Sequence, residues 1–319
     1  MRAPTLRPDA LDLDIFQEMY RGGPIALSGV DPRLNATRIA RRLKVGRARV
    51  ALRLKAWSES GFLERYDVWL NPALFGWVGA WYNVRVERPS AKPPILSRFG
   101  LIEGAVSGME FLGDWLTFAG VTADPEEFGR LRELLGGLAG VREVESPTPW
   151  PAVAPRRAIS PLDVRIVRAL REAPTATLGA TAARVGISTR TMTRRYAELV
   201  DDRAVWFVPV FDFRAISYPI VSLVVTIAAT TSPSAVVRKI RARYPLTLEF
   251  GGSDRRTPDG AAVRSYVVLP PSAAHLDELD RYVAGLAGVV AEETNVMVRM
   301  HTFPTWFDRR LGEATGRRA

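Results

Sequence analysis

The chain is written twice. This constrains it more than any other feature, because a duplicated sequence must build one unit two times and then join the copies. Gly137-Leu138-Ala139-Gly140-Val141 recurs as Gly285-Leu286-Ala287-Gly288-Val289. Leu11-Asp12 followed by Ile15 recurs as Leu162-Asp163 followed by Ile166. Ile39 to Leu43, with Val50 and Arg53 further on, lines up with Thr181 to Val185, with Met192 and Arg195 further on. The matches keep their order while their spacing drifts, as loop insertions would make it. Between the copies, Ser146 to Pro155 holds four prolines. Such a segment cannot continue a helix or a central strand and reads as a stiff, extended linker. It leaves two halves of about 150 residues, a common domain-scale length.

Each half begins with helical periodicity. In the second, Leu162, Ile166, Val167 and Leu170 share one helix face, and Pro174 ends that helix. Leu178, Ala182 and Val185 mark a second short helix closed by Gly186. Ser188 is a suitable N-cap for a third, in which Met192, Tyr196 and Leu199 point inward. Its outward residues are Thr189, Arg190, Thr193 and Arg194, with Arg195 beside them. A short helix, a glycine turn and a capped helix with a basic outer face make a helix-turn-helix pattern. Arginine can fork onto guanine edges, and serine and threonine can reach bases or phosphates. Val205 to Val208 and Val210 to Phe213, broken by Pro209, are expected to pair as a two-stranded wing.

The first half repeats the plan with a longer loop, Gly22 to Arg33, and with Val50, Leu54 and Trp57 inward. From Arg33 to Lys55 the charged residues are all cations: Arg33, Arg38, Arg41, Arg42, Lys44, Arg47, Arg49, Arg53 and Lys55. A surface helix normally mixes signs, so an acid-free basic stretch points to contact with nucleic acid. The competing reading is the solvated face of a protein-interaction module. Over the whole chain, 44 Lys and Arg against 34 Asp and Glu give a net charge of +10, which favours an anionic partner.

After its helices each half alternates strands and helices. In the second, Val221–Ala229, Leu246–Phe250, Ala262–Leu269 and about Val290–Met300 read as strands, with Pro233–Ala242 and Ala274–Leu286 as helices. The order βαββαβ is that of a ferredoxin-like plait. The first half gives a comparable order through Ala80–Glu87, Ile102–Val106, Trp115–Val121, Phe128–Leu138 and Val141–Glu145. Lys92-Pro93-Pro94 leaves room for barely two turns of its first helix. A plait leaves one sheet face bare, and the expected cover is the sheet of the other half or another chain.

The expected class is therefore α+β, with two winged helix-turn-helix domains and two ferredoxin-like modules in tandem. The boundaries are 1–75 and 76–146 for the first pair, 147–158 for the linker, 159–216 and 217–304 for the second pair, and 305–319 for a basic tail.

This plan resembles the Lrp/AsnC, or feast/famine, regulators. The matching residues are Leu162-Asp163-x-x-Ile166, then Val185-Gly186-Ile187-Ser188-x-x-Thr191-Met192-x-x-Arg195-x-x-x-Leu199, with the Gly251/Asp254 loop and Gly285–Val289 as landmarks of the ligand module. The resemblance covers nearly the whole chain, in duplicate. It implies a cytoplasmic transcriptional regulator that binds double-stranded DNA, self-associates, and responds to an amino acid or another small effector at the α/β modules. Carried over, the DNA-contacting residues are Arg38, Arg41, Arg42, Arg47, Ala48, Arg49 and Arg53 in the first half and Ser188, Thr189, Arg190, Thr193, Arg194 and Arg195 in the second. The implied effector region lies around Ser107, Gly108 and Asp114 and around Gly251, Gly252 and Asp254. The chain departs from the family in being fused. It also has Lys44-Val45-Gly46 where the other half has Gly186-Ile187-Ser188, and Asp201-Asp202-Arg203 where the first half keeps Gly61.

With no Cys and only His275 and His301, thiolate chemistry is absent and imidazole chemistry is sparse, so neither an enzyme nor a cofactor or metal site is expected. Some haem-pathway decarboxylases resemble these regulators and use His and Arg on the α/β module, which makes a small-molecule-binding or decarboxylase-like protein the alternative. Trp77, Trp81, Tyr82, Phe111, Trp115 and Phe118 read as core, or else as a stacking platform for single-stranded RNA. The N-terminal residues lack a signal-peptide core, and the longest apolar run, Tyr218 to Ala229, falls short of the roughly 18 residues of a membrane span.

Overall fold

The computed structural model describes residues 6–20, 35–150, 154–249, 256–257, 259–270 and 272–313. The first head consists of α1 (Ala10–Tyr20), α2 (Asn35–Leu43) and α3 (Arg47–Glu59), followed by β1 (Leu63–Leu70). The first plait is β2 (Val78–Val86), α4 (Lys92–Phe99), β3 (Ala105–Phe111), β4 (Trp115–Thr122), α5 (Glu127–Gly136) and β5 (Val141–Val144). A short β6 (Thr148–Pro149) follows. The second head is α6 (Pro161–Glu172), α7 (Leu178–Val185) and α8 (Thr189–Asp201), followed by β7 (Val205–Phe211). The second plait is β8 (Val221–Ile227), α9 (Pro233–Arg243), β9 (Thr247–Glu249), β10 (Ala262–Val268), α10 (Leu276–Ala284) and β11 (Val289–Thr302), and the described chain ends in α11 (Thr305–Glu313).

The heads form where the periodicity places them, and capping fixes their starts. Ser160 and Asp163 make a reciprocal capping box at α6, and Thr177 and Ser188 cap α7 and α8 with their hydroxyls. Gly46, which precedes α3, offers no side-chain cap. Both heads need left-handed backbone at the same two turns, and each supplies glycine at only one of them. Before the third helix the residues are Gly186 (φ 75°) and Lys44 (φ 55°); after it they are Gly61 (φ 80°) and Arg203 (φ 56°). Such a conformation costs a non-glycine residue roughly 1–2 kcal/mol. At Arg203 its own carbonyl accepts a hydrogen bond from the Asn71 side chain, across the boundary between halves.

The expected two-stranded wing does not form. Val205–Phe211 is one uninterrupted strand, and its partner is β1 of the other half, in antiparallel register from Leu63↔Phe211 to Leu70↔Val205. Pro209 lies within this ribbon opposite Tyr66. A ribbon of two strands leaves one edge of each strand without a ladder, so a proline is tolerated there.

The plaits also join differently from expectation. Each has the order 4-1-3-2, and they meet edge to edge in one nine-stranded sheet, β5-β2-β4-β3-β11-β8-β10-β9, with the short β6 also paired to β2. The long β11 makes the seam. Its first part pairs with β8 and its last part, Met297 to Thr302, with β3. One face of the sheet packs on its own helices in two separate cores, around Tyr82, Phe99 and Phe118 and around Leu223, Ile240 and Tyr266. The other face joins one continuous core with the ribbon, the inner residues of both heads, and Trp306, Phe307 and Leu311 of α11. The cover is therefore the heads, the ribbon and α11, and not the opposing sheet. Residues 305–313, expected as a basic tail, are a docked helix.

Candidate nucleic-acid interface

In the second head the buried face of α8 carries Met192, Tyr196 and Leu199. This turns Ser188, Thr189, Arg190, Thr193 and Arg194 outward, where all are exposed. The Ser188 hydroxyl accepts from the Thr191 amide at 3.2 Å and so fixes the first turn. Thr193 donates to the Thr189 carbonyl at 2.9 Å, which leaves its oxygen free to accept. Arg194 pairs with Glu198 one turn along at 2.7 Å, whereas Arg190 has no acidic partner among the described residues.

The first head turns Val50 and Trp57 inward and exposes Arg38, Arg41, Lys44, Arg47, Ala48 and Arg49. None of its five exposed cations here has an acidic partner among the described residues. Leu52, on the same outer surface of α3, is 67% exposed.

Three expected contact residues are turned into the heads instead. Arg53 binds Asp9 and Asp12, at 2.5 and 3.2 Å. Its counterpart Arg195 lies against Asp163 and Glu198, at 3.7 and 3.5 Å. Arg42 pairs with buried Glu18 at 3.0 Å. These arginines hold third helices to first helices and second to first. The sequence shows their charge but not the acid, tens of residues away, that each one meets.

Among the described residues, the expected effector positions Ser107, Gly108 and Asp114 are spread along β3 and the turn after it. Ser107 is 1% exposed near the start of β3, while Asp114 lies in the turn beyond its end, paired with Arg142 at 2.8 Å. Gly108 is a packing glycine, since a Cβ there would stand 3.0 Å from Leu96 and 3.2 Å from Phe118. Gly251, Gly252 and Asp254 lie outside the described residues, as do the Gly22–Arg33 loop and residues 314–319.

Residues 159–204 match the winged helix-turn-helix DNA-binding family. No curated protein matches the sequence. Among solved structures, the chain is similar to the siroheme decarboxylase NirDL in complex with an iron-uroporphyrin III analogue, at 11% identity and a TM-score of 0.47, over 95% of this chain and 98% of that one. It is also similar to E. coli AsnC, at 16% identity and a TM-score of 0.30, over 44% of this chain and 93% of that one. An AsnC family transcriptional regulator from Agrobacterium tumefaciens gives 20% identity and a TM-score of 0.29, over 43% of this chain and 88% of that one.

The heads are tied to the plait seam by polar contacts that the sequence does not announce. Arg299 of β11 donates to Glu64 of β1 at 2.7 Å, and Arg65 of β1 donates to the Thr302 hydroxyl at 2.7 Å. His301 meets Glu110 across the seam at 3.3 Å; burial holds its imidazole below the usual range although Glu110 pulls the other way. His275 is on another element, bonded through Nδ1 to Ser272 at 2.8 Å. The aromatic cluster is packing, with Tyr82, Phe111, Trp115 and Phe118 all buried. An apolar recess between the first head and the second plait, lined by Leu13, Phe16, Trp57, Phe62, Val267 and Leu269, was also not legible beforehand. Among the described residues, no helix is long and apolar enough to cross a membrane, and no cluster of three or more His, Asp or Glu is placed to hold a metal ion.

Proposed function

We propose that this protein is a DNA-binding transcriptional regulator that grips double-stranded DNA with the outer faces of α3 and α8. One observation carries the reading. Both third helices present unneutralised cations on the face opposite their buried residues, and α8 lies within the stretch that matches the winged helix-turn-helix DNA-binding family. Neutralising phosphates with such cations releases condensed counterions, which supplies most of the affinity for duplex DNA. The ribbon β1–β7 and the seam β3–β11 hold the heads to one scaffold.

The role is read as binding; the two histidines sit on separate elements, His275 bonded to Ser272 and His301 to Glu110. The reading needs neither an amino-acid effector nor self-association beyond the paired halves. Fluorescence anisotropy with a labelled duplex in low-salt buffer tests it. Saturable binding that weakens steeply with added salt is expected, and no binding at any salt overturns it.

A further inference from the structure

The two heads present different chemistry at equivalent positions, and this deepens the DNA-binding reading, on which it rests. Superposing the repeat on Val50/Met192 and Arg53/Arg195 pairs Ala48 with Arg190, Ala51 with Thr193 and Leu52 with Arg194. At these positions α8 offers hydrogen-bonding groups, while α3 offers methyl groups and one exposed leucine side chain. The cations are distributed the other way. Arg38, Arg41, Lys44, Arg47 and Arg49 stand exposed without acidic partners on the first head. On α8 Arg194 and Arg195 are tied to Glu198, which leaves Arg190.

Base edges are distinguished by directed donors and acceptors, whereas phosphates require only positive charge and proximity. The helix starts differ in the same sense. The first turn of α8 is closed by the Ser188 hydroxyl, while Gly46 leaves the amides at the start of α3 uncapped by any side chain. Uncapped amides at a helix start favour an anion.

We infer that the heads divide recognition: α8 reads base sequence through Arg190 with Thr189 and Thr193, and the first head is a sequence-tolerant phosphate grip. The preferred site is then a single specified half-site with unspecified duplex on one side. It is not an inverted repeat, although the β1–β7 ribbon pairs equivalent strands of the two halves antiparallel.

The test selects bound fragments from a random duplex library with the full chain, then measures affinity for the selected and a scrambled duplex. The enriched motif is expected to be one-sided. Arg190→Ala should lower the selected-to-scrambled affinity ratio by roughly 10-fold to 100-fold, and Arg190→Lys should lower that ratio while leaving scrambled-duplex affinity in place. Arg41→Ala with Arg49→Ala should weaken both duplexes by the same factor and leave the ratio unchanged. An inverted-repeat motif, or a ratio that collapses in the first-head variant, overturns the division of roles while leaving DNA binding intact. Failure of the unaltered chain to bind any duplex overturns the underlying reading instead.

Discussion

Asp12 and Asp163 occupy the same place in the two heads, and their surroundings push their carboxyls in opposite directions. Both are buried. At Asp163 burial raises the carboxyl, but the Arg157 guanidinium at 2.8 Å and the backbone N–H and hydroxyl of Ser160 outweigh it and hold the group below the usual carboxylate range. At Asp12 burial prevails over the Asp9 amide, the Trp57 indole at 2.8 Å and the Arg53 guanidinium, and the nearby charge of Asp9 adds to it, so the carboxyl sits high. The second head has no indole here, because Leu199 stands where the first has Trp57.

The linkage has opposite signs. A carboxyl held low contributes stability that is complete above its unfolded pKa of about 3.9 and is lost as the pH falls through its folded value. A carboxyl held high weakens the fold as the pH rises from the unfolded value through the folded one. On acidification α1 should therefore gain from protonation of Asp12 while the pH is still above about 4, and below that amide-exchange protection of α6 should fall. Mass-spectrometric exchange on peptides from both helices reads this out, and earlier opening of α1 would contradict it. In urea unfolding, Asp163→Asn should cost about 3 kcal/mol, since it removes the buried charge on which Arg157, Arg195 and Ser160 converge, although Arg157 keeps Asp202. Asp12→Asn should cost about 1 kcal/mol, because an amide oxygen can still accept from Trp57.

What was legible in the sequence follows from the range of each interaction. The heads were readable because Ile166, Leu170, Met192 and Leu199 recur at helical spacing and Ser188 caps its own helix. The plait order was readable from alternating elements. The β1–β7 ribbon was not, because Val205–Phe211 is buried at every position and so lacks the alternation that marks a half-buried strand. Pro209 then looked like a break. In α11, Trp306, Phe307 and Leu311 are masked by flanking arginines, two of which turn out to pair with Glu103. At the candidate interface the cations were legible one by one, whereas the inward turn of Arg42, Arg53 and Arg195 depends on acids distant in sequence.

Charge on the first head should appear directly in the salt dependence. If Arg38, Arg41, Lys44, Arg47 and Arg49 each meet a phosphate, log affinity against log salt should fall with a slope of about −4.5 from these five alone. Lys44→Ala with Arg47→Ala should make that slope shallower by about 2, on specific and scrambled duplex alike. An unchanged slope would place these side chains away from the duplex.

The linker should be dispensable for holding the halves together. β1 pairs with β7, β3 pairs with β11, and Arg299 reaches Glu64, so the interlock is independent of chain continuity. A protease site inserted between Trp150 and Ala154, then cleaved, should leave two fragments that co-elute and co-sediment as one particle with unchanged circular dichroism. Each half expressed alone should instead aggregate, since it exposes the long apolar face of its ribbon strand and a free sheet edge. Separation of the cleaved fragments in native buffer would mean that the strand pairings are weaker than their register suggests.

The C-terminal helix should be indispensable in a way its charge does not suggest. Trp306, Phe307 and Leu311 of α11 are all at most 2% exposed, and Phe307 stacks on Trp69 of the ribbon with ring centroids 5.5 Å apart. Arg171 of α6 bonds Asp308 at 2.7 Å and also the Val68 carbonyl at 2.7 Å, so α11, the second head and the first half's ribbon strand meet at one point. Removing a buried aromatic ring from such a contact leaves a cavity that rigid strands cannot collapse into, at a cost of about 3–5 kcal/mol. Phe307→Ala should therefore lower the urea midpoint by that equivalent, with Phe307→Leu recovering most of it, while Arg309→Ala, on the exposed side, should change stability by at most about 0.5 kcal/mol. Because the ribbon joins both heads, Phe307→Ala should also reduce affinity for duplex DNA at salt concentrations where the chain is still folded. A variant that loses stability but binds DNA normally would show that the ribbon holds the heads without setting their spacing.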